Sequence, residues 1–337
     1  MITDNGRSCP YATRLTPNVM ERILLKSLYV VAALTYPNLP KDLRYFIRDN
    51  YYCKLFQAKY LVDDYLLKKP YKVISYQGEF DQELRYVLPF AYWHFLNGTL
   101  EKTISTKDTK EFYFFSDDHE ERFTERIWTE SYAHYNVPNM THSNRYSFRK
   151  WARLPYKQHY ANDVFVYDKP VLIIANKYNK EWDQPPINFL SIGDLERIIK
   201  SLNGRYQIIY NRPMPTHIVQ DNSESLKLNE HAWLKEYHPE VILMDDLFAR
   251  YHDSVVRNYN HLQLMVYANC NHFISMHGGT AALASCFGGS NIILSNPNWG
   301  KEHPFNEYET LFPRLSGACI RHARTKDEVF RYVTQYY

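Results

Sequence analysis

Residues 273–289 read Phe-Ile-Ser-Met-His-Gly-Gly-Thr-Ala-Ala-Leu-Ala-Ser-Cys-Phe-Gly-Gly, and residues 291–295 continue with Asn-Ile-Ile-Leu-Ser. An apolar run ends in a glycine pair, a helix of small residues follows at once, and a second glycine pair precedes another apolar run. The order is strand, glycine turn, helix, strand. Gly278 and Gly279 let the backbone come close to a ligand, and Thr280 can cap the helix. The free N–H groups and the positive dipole end at that turn suit an anion, above all the diphosphate of a nucleotide.

The same alternation fills the second half. Residues 170–175, 206–210 and 240–244 are short apolar strands. Residues 192–202 and 259–269 are helices between them, and 327–337 form a terminal helix. Strands alternating with helices at this spacing imply a parallel sheet covered on both faces. Ligands of such sheets bind at the carboxyl ends of the strands. The segments at those ends hold Lys177, Arg212, Asp245 and Asp246, and the His277–Thr280 turn.

The first half is less regular. Residues 17–69 read as helical, broken at Pro37 and Pro40, and 24–36 read as a buried helix. Residues 72–77 are a first strand. Residues 87–96 are apolar and fit either strand or helix. Residues 111–116 read as a strand with an acidic turn behind it, and 117–168 as irregular structure with short elements. The boundary between the halves falls near residues 163–169.

Composition excludes several classes. Forty basic against 37 acidic residues leave a net charge of +3, too little to argue for nucleic acid or a membrane surface. Five scattered cysteines with no C-x-x-C pair suggest reduced, buried thiols and a cytoplasmic location. Residues 1–14 have no signal-peptide core, and no apolar run reaches the ~20 residues of a membrane span. No Cys/His spacing suggests zinc.

On residues 170–326 the chain resembles the C-terminal domain of GT-B glycosyltransferases, carried by 259–269, 273–285 and 291–295. The dinucleotide fingerprint G-x-G-x-x-G is absent, which argues against a nicotinamide enzyme. The resemblance implies an α/β chain of two Rossmann-like domains. The first, residues 1–165, would be the smaller and less regular acceptor side with an N-terminal helical segment. The second, residues 166–337, would bind a nucleotide-diphosphate sugar. It also implies that the terminal helix packs back across the domain junction. The implied activity is an inverting, metal-independent hexosyl or deoxyhexosyl transfer to a glycan hydroxyl, with no cofactor beyond the donor. An epimerase or hydrolase of nucleotide sugars, or a binding protein without catalysis, would share the architecture.

The donor site expected from these readings is Lys177, Arg212, Asp246, His277, Gly278, Gly279 and Thr280. Lys177 and Arg212 would neutralise the leaving diphosphate. Asp245 and Asp246 either border the nucleoside or cap a helix. His277 either donates to the ligand or is structural. Transfer with inversion needs a base on the acceptor side. Asp81 is the first candidate, Glu79 in the same acidic loop the second, and His94 the third. Tyr92 and Trp93 would offer an aromatic surface to the acceptor sugar. A rival reading places a divalent metal on Asp117 and Asp118 after the 111–116 strand.

Overall fold

The computed structural model describes residues 19–69, 72–127, 137, 148–181, 185–202, 204–219, 223–295 and 307–337. The signal-peptide reading of residues 1–14 and Cys9 fall outside them. The chain is α/β, with one parallel sheet in each half. The strands are β1 Lys72–Ser75, β2 Leu100–Thr106, β3 His119–Phe123, β4 Val171–Ala175, β5 Asn179–Glu181, β6 Gln207–Asn211, β7 Ser223–Ser225, β8 Ile242–Leu243, β9 His272–Met276, β10 Ser290–Leu294 and β11 Cys319–Ala323. The first sheet has the order β1-β2-β3. The second has the order β11-β10-β9-β4-β6-β8, and β5 pairs with β7 in a small antiparallel ribbon.

Numbered within their own sheet, the six strands of the second half run 3-2-1-4-5-6, the order of dinucleotide-binding folds. The order reverses between β4 and β9, which pair Leu172↔His272 through Ala175↔Ser275. All five residues of β4 are buried, as expected for an interior strand covered on both faces. One face carries Leu195, Ile198, Val329 and Val333 from the Ile192–Leu202 and Lys326–Tyr336 helices. The opposite face joins a hydrophobic cluster that runs into the first half, from Ile173 and Phe273 to Phe112, Tyr156 and Leu84.

Polar groups bolt the halves together along this core. Lys157 Nζ donates to the Cys270 carbonyl at 2.9 Å. Arg153 donates to the Arg314 carbonyl at 3.1 Å and the Ser316 carbonyl at 3.0 Å. Asn258 Nδ2 donates to the Glu111 carboxylate at 2.9 Å.

Several local expectations change. Residues 111–116 are not a strand: Lys110–Tyr113 is a 3-10 turn. The Glu121 carboxylate accepts from the Thr109 and Lys110 N–H groups at 2.8 and 2.7 Å, which caps that turn. Phe112, Tyr113 and Phe115 are all buried, so their run reflects a core and not a two-residue alternation. The ambiguous apolar run is a helix, Leu88–Leu96, with Pro89 in its first turn. The sequence reading did not anticipate β2, β3 and β11. The third strand of the second half is only two residues long, because the Met244–Tyr251 helix begins at once with Asp245 and Asp246 in its first turn.

The helix expected to be buried at residues 24–36 runs over Val19–Thr35 and keeps only Ala32 fully inside. The terminal helix does not cross to the first half. Its Tyr337 hydroxyl donates to the Phe273 carbonyl at 2.8 Å, on the second sheet. No helix among the described residues is long and apolar enough to cross a membrane. No disulfide links the described cysteines. Cys53, Cys270 and Cys286 are buried, and Cys319 is exposed, against the expectation for it.

Candidate functional site

The carboxyl ends of β4 and β9 lie side by side where the strand order reverses, and this places Lys177 beside the glycine turn. A Cβ added to Gly278 would stand 3.7 Å from Lys177 Nζ. Gly278 has φ +99° and is the N-cap of the Gly279–Ser285 helix. That backbone is open to glycine and strained for other residues. Thr280 does not cap: its hydroxyl lies inside the helix start and donates back to the Met276 carbonyl. The first N–H groups of the helix precede its hydrogen-bonded ladder, which opens with Ala282 N on the Gly278 carbonyl.

The first half meets this turn directly. A Cβ on Gly279 would come within 3.1 Å of Phe80 Cδ1 and 3.9 Å of the Asp81 N atom. Asp81 pairs with Arg85 one helical turn later. Its charge is felt within the helix: burial first, and the Asp81 carboxylate after it, push the Cys286 thiol up to about 12. Lys177, Gly278, Gly279, Phe80, Asp81 and Arg85 therefore bracket one junction, two elements from the second sheet and one from the first.

A buried network holds the Gly78–Asp81 segment in place. Arg126 donates to the Gly78 carbonyl and to the Glu83 carboxylate, both at 2.8 Å. Its guanidinium also lies 5.2 Å from the centre of the Phe80 ring. The Tyr113 hydroxyl donates to the other Glu83 oxygen at 2.7 Å. The Tyr76 hydroxyl donates to the Glu79 carbonyl at 2.9 Å. Both Glu83 and Arg126 are buried, so each needs the other. Arg85 and Arg126 were not foreseen. Arg85 stands one turn after Asp81, a spacing that could have revealed it. Arg126 is 43 positions beyond Glu83 in a stretch without periodicity, and no sequence signal marks it.

The other expected site residues make the following contacts. Glu79 accepts from Gln82 Nε2 at 3.3 Å, at the N-cap of the short Phe80–Gln82 helix. His94 is fully buried in the first half, 2.8 Å from the Thr99 hydroxyl. Burial, with a smaller contribution from Lys72, lowers its pKa to about 3. It is therefore a neutral core histidine and faces no cleft. Trp93 packs its ring 5.1 Å from Lys150 Nζ and Tyr92 stacks on the exposed Phe95; both aromatics are half-buried.

Arg212 is committed to Glu230, which is completely buried, through paired contacts including Nη2 to Oε2 at 3.2 Å. This places the guanidinium in an internal ion pair, not toward a ligand at the glycine turn. Asp246 pairs with Lys235 at 2.7 Å on the surface. Asp245 accepts from the Tyr259 hydroxyl at 3.0 Å. Neither makes a side-chain cap bond. His277 Nδ1 contacts the Tyr308 hydroxyl and lies 3.1 Å from the Ser295 hydroxyl.

The metal reading of Asp117 and Asp118 fares differently from its sequence form, since the preceding strand is absent. Asp118 lies 3.4 Å from Lys102 Nζ. Among the described residues no group of three His, Cys, Asp or Glu is placed to hold a metal ion.

No protein-family model matches the chain, and no curated protein matches it. A solved structure similar to it is that of the E. coli ADP-heptose LPS heptosyltransferase II. The two share 10% identity with a TM-score of 0.36, over 94% of this chain and 96% of that one.

Proposed function

We propose that the chain is a glycosyltransferase that takes a sugar from a nucleotide-diphosphate donor to a glycan hydroxyl. The observation that carries this reading is the placement of Lys177 and the Gly278–Gly279 turn at the switch point of the second sheet, directly against Asp81 of the first half. Backbone N–H groups and a lysine at that position suit a diphosphate. Residues 166–337 would then be the donor side and residues 1–165 the acceptor side.

In this reading Lys177 supplies positive charge to the leaving diphosphate, the part a metal plays in other enzymes. Gly278 lets the phosphates reach the backbone beside Lys177, while Gly279 packs against Phe80. Asp81 receives the proton of the attacking hydroxyl, with Arg85 fixing the carboxylate. Direct in-line attack of that hydroxyl inverts the anomeric centre. Arg212 and His94 take structural roles.

The test is a thermal-shift screen with UDP, GDP, CMP, dTDP and ADP, with and without manganese. One diphosphate should raise the melting temperature without metal, since a ligand that binds only the folded state stabilises it. Lys177→Ala should weaken that shift by about tenfold in ligand concentration, in the range of a charge-assisted hydrogen bond. Asp81→Asn should keep the shift and lose transfer. A shift that requires manganese would restore the metal reading. No shift with any nucleotide would sink the proposal.

A further inference from the structure

The N-terminal hairpin, made of the Val19–Thr35 and Lys41–Leu61 helices and the turn after them, has a surface unlike the rest of the chain. Of the 23 large apolar residues that are exposed among the described ones, 14 lie between residues 19 and 67. The first helix is apolar on two faces. Its inner face sets Tyr29 against Tyr45, with ring centres 4.9 Å apart, and lets Glu21 accept from the Tyr52 hydroxyl at 2.8 Å. On its outer face Met20, Ile23, Val30 and Leu34 follow one another at helical spacing, with Met20 75% and Leu34 77% exposed. Leu66 and Leu67 extend the apolar surface at the far end of the hairpin.

The charges are sorted in the same direction. Residues 19–69 contain nine Lys and Arg against five Asp and Glu, a surplus of four, whereas the whole chain carries only +3. The described acids are buried or half-buried. Asp49 pairs with Arg48, Asp63 with Lys69, and Asp64 with Lys72 and Lys150. Arg22, Lys26, Lys54, Lys59 and Lys68 are exposed, next to the exposed aliphatic residues. Among the described side chains of the hairpin no acid is exposed. The small net charge of the whole chain hides this asymmetry.

We propose that this hairpin docks the protein on an anionic lipid surface. The outer aliphatic residues enter the headgroup boundary, and the lysines meet the lipid phosphates. Apolar area and basic charge on one element are the two requirements of such binding. A second copy of the chain suits the face less well, because it would set one basic surplus against another.

The experiment is co-sedimentation of the full chain with vesicles of phosphatidylcholine alone and of phosphatidylcholine mixed with phosphatidylglycerol. Binding is expected only with phosphatidylglycerol and should weaken as salt is raised. Lys54→Gln and Lys59→Gln should each weaken it about fivefold. Met20→Glu with Leu34→Glu should remove it, while circular dichroism and the melting temperature stay unchanged because both positions are exposed. Failure to bind the anionic vesicles, or equal binding to both kinds, overturns the proposal. A dimer in light scattering that Leu34→Glu splits would assign the face to a second copy instead. The nucleotide response of these variants is read separately, so the outcome does not depend on the proposed transfer.

Discussion

Arg212 shows how an expected ligand residue becomes part of the scaffold. It follows β6 at a strand end, where a cation for a diphosphate was expected, yet its guanidinium is spent on Glu230 inside the protein. Removing one partner of a buried pair leaves an uncompensated charge and costs about 3–5 kcal/mol. Arg212→Ala should therefore lower stability by that order in urea unfolding. Arg212→Ala combined with Glu230→Gln should recover a large part of the loss. If Arg212→Ala leaves the unfolding midpoint unchanged but abolishes nucleotide binding, the guanidinium serves the ligand after all. Lys177 differs in its place on the sheet. Its strand end lies at the point where the strand order reverses, one strand nearer the glycine turn, and that neighbour relation separates the two cations.

At the scale of elements, the glycine turn and the loop after β1 act on each other through Phe80. The ring lies against Gly279, and the Arg126 guanidinium lies 5.2 Å from its centre. A side chain larger than hydrogen at Gly279 has to push the ring aside, and the backbone of Asp81 moves with it. Gly279→Val should lower activity more than tenfold while costing about 1–3 kcal/mol of stability, the range for overpacking a filled site. Kinetics and unfolding of the same variant check both parts. Wild-type activity in Gly279→Val would show that the contact has no bearing on the site. The loop itself was legible as acidic sequence. Its rigidity was not, because Arg126 and Tyr113 reach it from distant parts of the chain.

At the scale of the whole molecule, a continuous core and cross-links from Arg153, Lys157 and Asn258 join the two sheets. Two histidines held below their ordinary pKa tie this folded state to pH. Burial, with smaller charge effects, holds His94 at about 3 and His119 at about 4, both below the ordinary histidine value. The unfolded chain takes up these protons near pH 6.5, and the native protein does not until pH 4 and 3. Their stabilising effect is therefore complete above pH 6.5 and is lost as the pH falls below it. For His94 the slope approaches about 1.4 kcal/mol per pH unit well below 6.5. Urea midpoints measured from pH 7.5 down to 5 should fall, and fall less steeply in His94→Gln. An equal slope in the variant would exclude His94 as a source.

The second-half elements that were legible in the sequence are those that are short, strongly apolar or amphipathic, and closed by glycine, asparagine or proline. Period and turn chemistry are local properties, so residues 171–175, 192–202, 259–268 and 272–294 could be read in order. The aromatic run at 111–116 could not, since a strand and a largely buried 3-10 turn look alike until the Glu121 carboxylate caps one of them. The same limit applied to the Val19–Thr35 helix. Its apolar residues announce a helix but not which of its two faces meets protein.

Local sequence determined that this is an α/β chain with a glycine turn at the end of a buried strand. Only the tertiary structure decided that Lys177 stands beside Gly278, that Phe80 and Asp81 close on Gly279, and that Arg212 faces Glu230. Those neighbours are set by strand order and by packing between the halves, and neither leaves a periodic trace along a single chain.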